Sequence, residues 1–277
     1  MALFMQTNVS SMEAQRNLGY NQGQLQLSFN RLSSGFRINS AKDDAAGLAI
    51  SENLRSQIRS FAVAERNAGD GISMAQTAEG ALGEVHNILG RMRELATQAS
   101  NGSLTGTDRG FLQTEFSQLQ SEIDRIQGSA KFNGKLLLGA TTNTITLQVG
   151  LQALTSDQIE VTLGGVGLTG ISGSAVALSG TTETGALATL STIDSAITNV
   201  STARSTFGAA MNRLEVAQSN IQTMRLNLSA ANSRIRDVDV ASETAQMSRN
   251  QVLSQAGLSV LAQANQLPQM ALGLLQN

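Results

Sequence analysis

The stretch RLSSGFRINSAKDDAAGLAI (residues 31–50) sets two adjacent carboxylates, Asp43 and Asp44, among Arg31, Arg37 and Lys42. Paired carboxylates beside cations are the raw material of acid–base catalysis or of a divalent-metal site. Neighbours on a helix, however, point about 100° apart and do not share one site. At the start of a helix their charge favours the dipole instead, and ion pairs to neighbouring subunits are compatible with that position. A second charged stretch, SRIRDVDVASET (233–244), places Arg234, Arg236, Asp237 and Asp239 in a break between two helical patterns. It too reads as a solvated joint. His86 is the only histidine and follows a seam residue, Val85, so no two-histidine metal site can form. Without cysteine, disulfides and thiolate metal sites are excluded. The chain has no G-x-x-x-x-G-K-[ST] loop, no G-x-G-x-x-G after a strand and no G-x-S-x-G elbow. The residues therefore predict no catalysis, no cofactor and no metal.

Composition points the same way. Aromatics are 3% of the 277 residues, with no Trp, one Tyr and one Pro. A compact enzyme of this size fills its core with more aromatic bulk, whereas Ala, Ser, Gln, Leu and Thr suit closely packed helices. A net charge of −2 argues against a nucleic-acid partner. No apolar run is long enough for a membrane span, and the N-terminus lacks the basic and apolar regions of a secretory signal. Signal rules alone place the protein in the cytoplasm.

The elements that must carry these residues are mostly helical. Leu18, Gln22, Leu25, Phe29, Leu32 and Phe36 step by four and three, a coiled-coil-like seam. The rhythm resumes at Leu54, Ile58, Phe61 and Glu65 and runs through Glu79, Leu82, Val85 and Leu89 to Met92. Unbroken from 44 to 100, that helix would be roughly 85 Å long. Gly69, Gly71, Gly80, Gly83 and Gly90 fall inside it, implying either a broken helix or close approach of another helix. SNGSLTG (100–106) supplies a turn, Thr107 or Asp108 can cap the next helix, and Leu112, Phe116, Leu119, Ile123 and Ile126 fold it back.

Between 131 and 185 the pattern changes. Asn133-Gly134 signals a turn, TITLQVG and QIEVTLG read as short strands, and 164–185 reads as a surface loop or small β-excursion. Helical spacing returns at Leu190, Ile193, Val200, Arg204, Phe207, Leu214, Ile221 and Arg225. A last amphipathic helix puts Val252, Ala256, Val260, Ala264, Leu267, Ala271 and Leu274 on one face, with Pro268 expected to kink it. The fold class is mainly α: a long antiparallel bundle or coiled coil with its N- and C-terminal helices paired, plus a small β-hairpin region. Five segments follow: 1–43, 44–130, 131–185, 186–232 and 233–277. Ordering costs about 1–2 kcal/mol per residue, so each terminal stripe is too narrow to fold alone, and the ends are expected to order against each other and against other subunits. The packing residues expected there are Leu18, Leu25, Phe29, Leu32, Val252, Ala256, Val260, Leu267 and Leu274.

NRLSSGFRINSAKDDAAGLAIS and SRIRDVDVASETAQMSRNQVLSQAGLSVLAQANQLPQMALGLLQ closely resemble the two ends of bacterial flagellin. RNAGDGISMAQTAEGALGEV, RMRELATQASNG, KFNGKLLLG and RSTFGAAMNRLE extend the resemblance over residues 1–150 and 190–277. It implies a polymer subunit whose paired ends (1–43 and 233–277) line the filament core, surrounded by a long-helix layer. It also implies export without a cleavable signal through the flagellar type III apparatus, which overrides the cytoplasmic expectation. Implied partners are other flagellin subunits, a cap protein, hook–filament junction proteins, an export chaperone and a host Toll-like receptor. By position in LGRMRELATQ and FLQTEF, the receptor patch would be Arg91, Leu95 and Glu115. The residues 164–185 could accept O-linked glycans. A hook–filament junction protein or a cytoplasmic helical signalling hairpin are the alternatives.

Overall fold

A computed structural model describes residues 7–171, 176–178 and 184–275, with residues 169 and 267–275 described by backbone alone. Five helices account for most of them: α1 (Val9–Ser34), α2 (Ala45–Ala99), α3 (Gly106–Ser129), α4 (Thr184–Arg236) and α5 (Val240–Leu275). Four short strands lie between α3 and α4: β1 (Lys131–Phe132), β2 (Lys135–Leu136), β3 (Asn143–Gln148) and β4 (Gln158–Leu163). The chain forms two compact units, one from the segments up to Ser56 and from Asn227 onward, the other from Gln57 to Leu226. Among the described residues no helix is long and apolar enough to cross a membrane.

The Gln57–Leu226 unit is a helical bundle capped by the strands. Its core is the four-three seam: Leu82, Val85, Leu89 and Met92 of α2 are fully buried, with Phe116 and Ile123 of α3 and Ile193, Val200 and Leu214 of α4. Burying each such side chain contributes about 1.5–3 kcal/mol. The charged residues within the seam pair across it. Glu79 accepts from Arg204 at 2.6 Å, and Glu65 accepts from Arg225 at 2.5 Å and from Gln222 at 2.8 Å. The pairing order, Glu79 with Arg204 and Glu65 with Arg225, runs α4 antiparallel to α2.

The α2 helix is not broken at its glycines. Close approach explains only Gly71, where an added Cβ would lie 2.3 Å from Leu147 of β3 and 3.1 Å from Leu214. Gly69, Gly80, Gly83 and Gly90 face open space, so neither expectation accounts for them within one chain. The α2–α3 turn is closed by a cap two residues before the nearer of the expected positions. Thr105, not Thr107 or Asp108, is the N-cap, and Asp108 returns the bond to its backbone N–H, completing a capping box.

Asn133 and Gly134 both take positive φ (47° and 78°), the two-residue turn that joins β1 to β2. β3 and β4 pair antiparallel from Asn143↔Leu163 to Gln148↔Gln158. Alternate residues Ile159, Val161 and Leu163 are buried. Within 164–185, which read as a surface loop or small β-excursion, Val166, Leu168, Ile171, Val176 and Leu178 are buried, not at the surface. Two glutamines of α3 hold that backbone. Gln120 donates to the carbonyls of Ile171 (3.0 Å) and Val176 (3.2 Å), and the Gln113 side-chain oxygen accepts from the Leu178 N–H.

In the other unit α1 packs antiparallel on α5. Asn8 caps α1 by accepting from Ser11 N–H at 3.1 Å, and Gly35 ends it in the left-handed region (φ 74°), donating to Arg31 O. The seam between the helices differs from the expected one. Leu18, Leu25 and Leu32 are half-buried, but Ser11 and Ser28 are the buried residues of α1, while Gln22 is exposed and Phe29 is 59% exposed. On α5 the face toward α1 carries Asn250, Ser254, Gly257, Leu261 and Ala264. Val252 (65%), Ala256 and Val260 (56%) are exposed. The seam thus mixes leucines with small and polar side chains, while the β-branched Val252 and Val260 are turned outward. Leu267 and Leu274 fall among the residues described by backbone alone. α5 runs on past Pro268 to Leu275, so the proline does not end it.

Candidate functional site

The two charged stretches meet. Residues 35–38 lie against 235–238: Arg37 N–H donates to Arg236 O at 2.6 Å, Val238 N–H donates to Gly35 O at 3.0 Å, and Phe36 and Asp237 form an antiparallel bridge. Both connections between a terminal helix and a long helix are thus stitched into one structure. Arg37 adds a side-chain bond to Ile235 O at 2.5 Å. Arg236 lies 4.6 Å over the Phe36 ring and reaches Glu52 of α2 at 2.6 Å. Arg31 faces Glu243 of α5 at 3.6 Å.

The aspartates are backbone caps. Asp44 Oδ1 accepts from Gly47 N–H at 2.8 Å, capping α2. A Cβ at Gly47 would lie 2.4 Å from the Asp44 carboxylate and 2.8 Å from Ile38, so any larger residue would have to push both side chains aside. Asp43 Oδ2 accepts from the N–H groups of Ser40 (2.9 Å) and Asn39 (3.1 Å) and from the Ser40 hydroxyl (3.0 Å). Those bonds, the Ser40 N–H first, with the Arg31 charge in a minor part, hold the Asp43 carboxyl below its ordinary range. Asp239 caps α5 through Ala241 N–H (3.0 Å) and Ser242 N–H (3.2 Å). Lys42, Arg234 and Asp237 are exposed. Three aspartates at three backbone stations share no common ligand position.

Of the receptor-patch residues, two lie together at the surface and one does not. Arg91 bonds Glu115 and Glu94, each at 2.8 Å, and these two bonds raise the guanidinium pKa, Glu115 contributing more. Leu95 is 1% exposed and belongs to the core, so its side chain is not available to a receptor. His86 is half-buried with Nδ1 lacking a partner. Among the described residues no three metal-ligating side chains converge.

Several contributors escaped the sequence reading. Glu52 and Glu243 are ordinary helix-surface carboxylates until folding brings them to Arg236 and Arg31. Arg109 is 3% exposed and donates to the carbonyls of Ala99 (2.9 Å) and Asn101 (3.2 Å). It satisfies the C-terminal end of α2, a role no local pattern announces.

Residues 5–143 match the family of the bacterial flagellin N-terminal helical region, and residues 190–275 match the bacterial flagellin C-terminal helical region. The flagellin of Halalkalibacterium halodurans is 48% identical over 269 residues, covering 97% of this chain and 98% of that protein. The flagellar filament 30.7 kDa core protein of Treponema maltophilum is 43% identical, again covering 97% and 98%. The crystal structure of Bacillus cereus flagellin superposes with a TM-score of 0.50 at 35% identity, covering 60% of this chain and 94% of that one. The match spans both ends and the strands between them, and on it the chain belongs to the bacterial flagellin family.

Proposed function

We propose that this flagellin is the structural subunit of a bacterial flagellar filament, and that its paired ends form the main assembly surface. One observation carries the second part. The α1–α5 pair mixes half-buried Leu18, Leu25, Leu32 and Leu261 with Ser11, Ser28, Asn250 and Gly257 in its internal seam and exposes Phe29, Tyr20, Val252 and Val260. An isolated soluble pair would bury those residues. Covering each in a subunit contact supplies about 1.5–3 kcal/mol, which offsets the ordering entropy of the helices that carry them.

The joint formed by residues 31–44 and 234–239 then holds the terminal pair in the orientation that assembly needs. Lys42, Arg234 and Asp237, exposed at the joint, supply the charges that neighbouring subunits meet. In this reading 1–43 and 233–277 line the filament core, 44–130 and 186–232 build the surrounding layer, and 131–185 lies outward. Family membership supports export through the flagellar type III apparatus with a chaperone, growth beneath a cap protein, and attachment to hook–filament junction proteins. Recognition by a Toll-like receptor would rest on the exposed Arg91–Glu115 pair. Identity to flagellins along almost the whole chain disfavours a junction protein.

The test is seeded growth. Full-length protein added to filament fragments should elongate into long tubes seen by electron microscopy, and deletion of residues 236–277 should abolish elongation. Asp43→Ala and Arg31→Ala should slow elongation while leaving monomer helicity nearly unchanged. Full-length protein that stays monomeric under every seeding condition would refute the filament reading, and wild-type growth by both point variants would refute the role of the joint.

A further inference from the structure

The Gln57–Leu226 unit carries an apolar knob and an apolar groove that cannot meet within one chain. Among the described residues Phe111 (72%) and Val216 (71%) are the most exposed of the large apolar side chains. Phe111 stands near the start of α3, beside the last turns of α2, where Arg109 reaches Ala99 O and Glu115 meets Arg91. Val216 borders an open groove of about 520 Å³ between α4 and the loop that joins β3 to β4. Val149, Ile159, Ala217 and Arg213 also line it. The groove lies at the level where Leu147 and Leu214 approach Gly71 and Arg225 pairs with Glu65. The two levels are about 35 Å apart along α2.

A lone exposed phenylalanine needs no explanation, but this one has a complement on the same unit. Asp108 and Glu115 stand one turn to either side of Phe111. With Glu94 they outweigh Arg91, the one guanidinium that Glu94 and Glu115 share. Arg213 is the only charged residue lining the groove, and it forms no ion pair among the described residues. A negative collar around an aromatic knob thus matches a positive charge beside an apolar groove, the pairing of anchor and pocket that stabilises protein contacts. We propose that Phe111 of one copy of this chain seats in the groove formed by Val149, Ile159 and Val216 of the next. Knob and groove are different surfaces, so the contact is heterologous: each added copy leaves one knob and one groove free, and the row stays open. It stacks the Gln57–Leu226 units end to end, in addition to the contacts of the paired chain ends.

This inference rests on the filament reading above, and the experiment separates the two. The chain has no cysteine, so Thr114→Cys with Asn212→Cys sets one thiol beside the knob and one in the groove wall of the full-length protein. Within one chain they lie on the two separated levels, beyond the reach of a short bis-maleimide cross-linker. In seeded filaments that cross-linker should give a ladder of covalent dimers, trimers and longer rows on denaturing gels. Each single-cysteine variant should give nothing beyond a dimer. Phe111→Ala should raise the critical monomer concentration for elongation about tenfold or more, with monomer melting unchanged because the side chain is already exposed. Phe111→Leu, which stays apolar, should lose much less. Double-cysteine filaments that yield no cross-link, cross-linking that stops at a closed dimer, or wild-type elongation by Phe111→Ala would overturn the knob-and-groove contact and leave the filament reading standing. Failure of the wild-type protein to elongate under every seeding condition would overturn both.

Discussion

Arg109 offers the sharpest test of how the Gln57–Leu226 unit is held together. The last carbonyls of α2 have no partner within their own helix. Arg109 reaches back from α3 to accept that duty, with Nε donating to Ala99 O at 2.9 Å and Nη2 to Asn101 O at 3.2 Å, while only 3% of the residue stays exposed. Hydrogen bonds from a charged donor are worth about 1.5–3 kcal/mol each. Arg109→Ala removes both, leaves the buried Ala99 carbonyl without its side-chain donor (the exposed Asn101 carbonyl keeps the Leu104 N–H) and opens a void where the stem packed, so the loss should be about 2–4 kcal/mol. Arg109→Lys keeps the charge, but a single ammonium cannot reproduce the fork and should recover about half of that. Guanidinium unfolding of the monomer, followed by far-ultraviolet circular dichroism, reads the change as a shift in midpoint at constant slope. Hydrogen exchange at residues 99–105 should accelerate in parallel. An alanine variant within about 1 kcal/mol of wild type would show that water satisfies those carbonyls equally well, and the capping argument would fail.

Two further outcomes follow from the geometry. Gly71→Ala should destabilise the monomer by about 1–2 kcal/mol because its methyl enters the space of Leu147 and Leu214. Gly80→Ala, facing open space, should stabilise it by about 0.5–1 kcal/mol in the same melt. Asp108 is held below its ordinary value of 3.8, first by the Thr105 hydroxyl and then by the Thr105 backbone N–H. A depressed carboxylate lends stability that is complete above its unfolded value and drains away as pH falls through the folded one. The start of α3 should therefore loosen below pH 3.8, and Asp108→Asn should flatten that acid limb in an NMR titration of the Thr105 amide.

The fold was legible where one residue's period sufficed. Leu82, Val85, Leu89 and Met92 declared a buried stripe by spacing alone, and Asn133-Gly134 declared its turn. The partners of Glu65 and Glu79 were not legible. Each needs a guanidinium more than a hundred residues away, and only the α2–α4 register says which one arrives. Leu95 shows the same limit in reverse: a position carried over by likeness lay beneath the surface, because a neighbouring seam decides which face of α2 is solvent. Residues 164–185 read as a surface loop or small β-excursion because Gly, Ser and Thr dominate them, yet Ile171, Val176 and Leu178 are buried. Gln113 and Gln120 bind that backbone, and no hydrophobic period records that kind of contact.

The stripe at Val252, Ala256 and Val260 shows why amphipathicity underdetermines a polymer subunit. Periodicity identifies an apolar face but not the surface that covers it. For the core helices the covering surface is in the same chain, so the buried face and the apolar face coincide. For α1 and α5 they do not: the buried face carries Ser11, Ser28, Asn250 and Gly257, and Phe29, Val252 and Val260 look away from it. The internal seam is accordingly weak. Asn250 is 7% exposed with its amide nitrogen unpaired, a deficit of about 1–3 kcal/mol. Two helices joined by a poor seam and bearing good outer faces gain most of their stability from neighbours. Their order should therefore depend on subunit concentration, whereas that of the Gln57–Leu226 unit should not. If the terminal pair orders on joining a filament, that asymmetry is what it needs, because ends that folded tightly alone would have little left to gain from assembly.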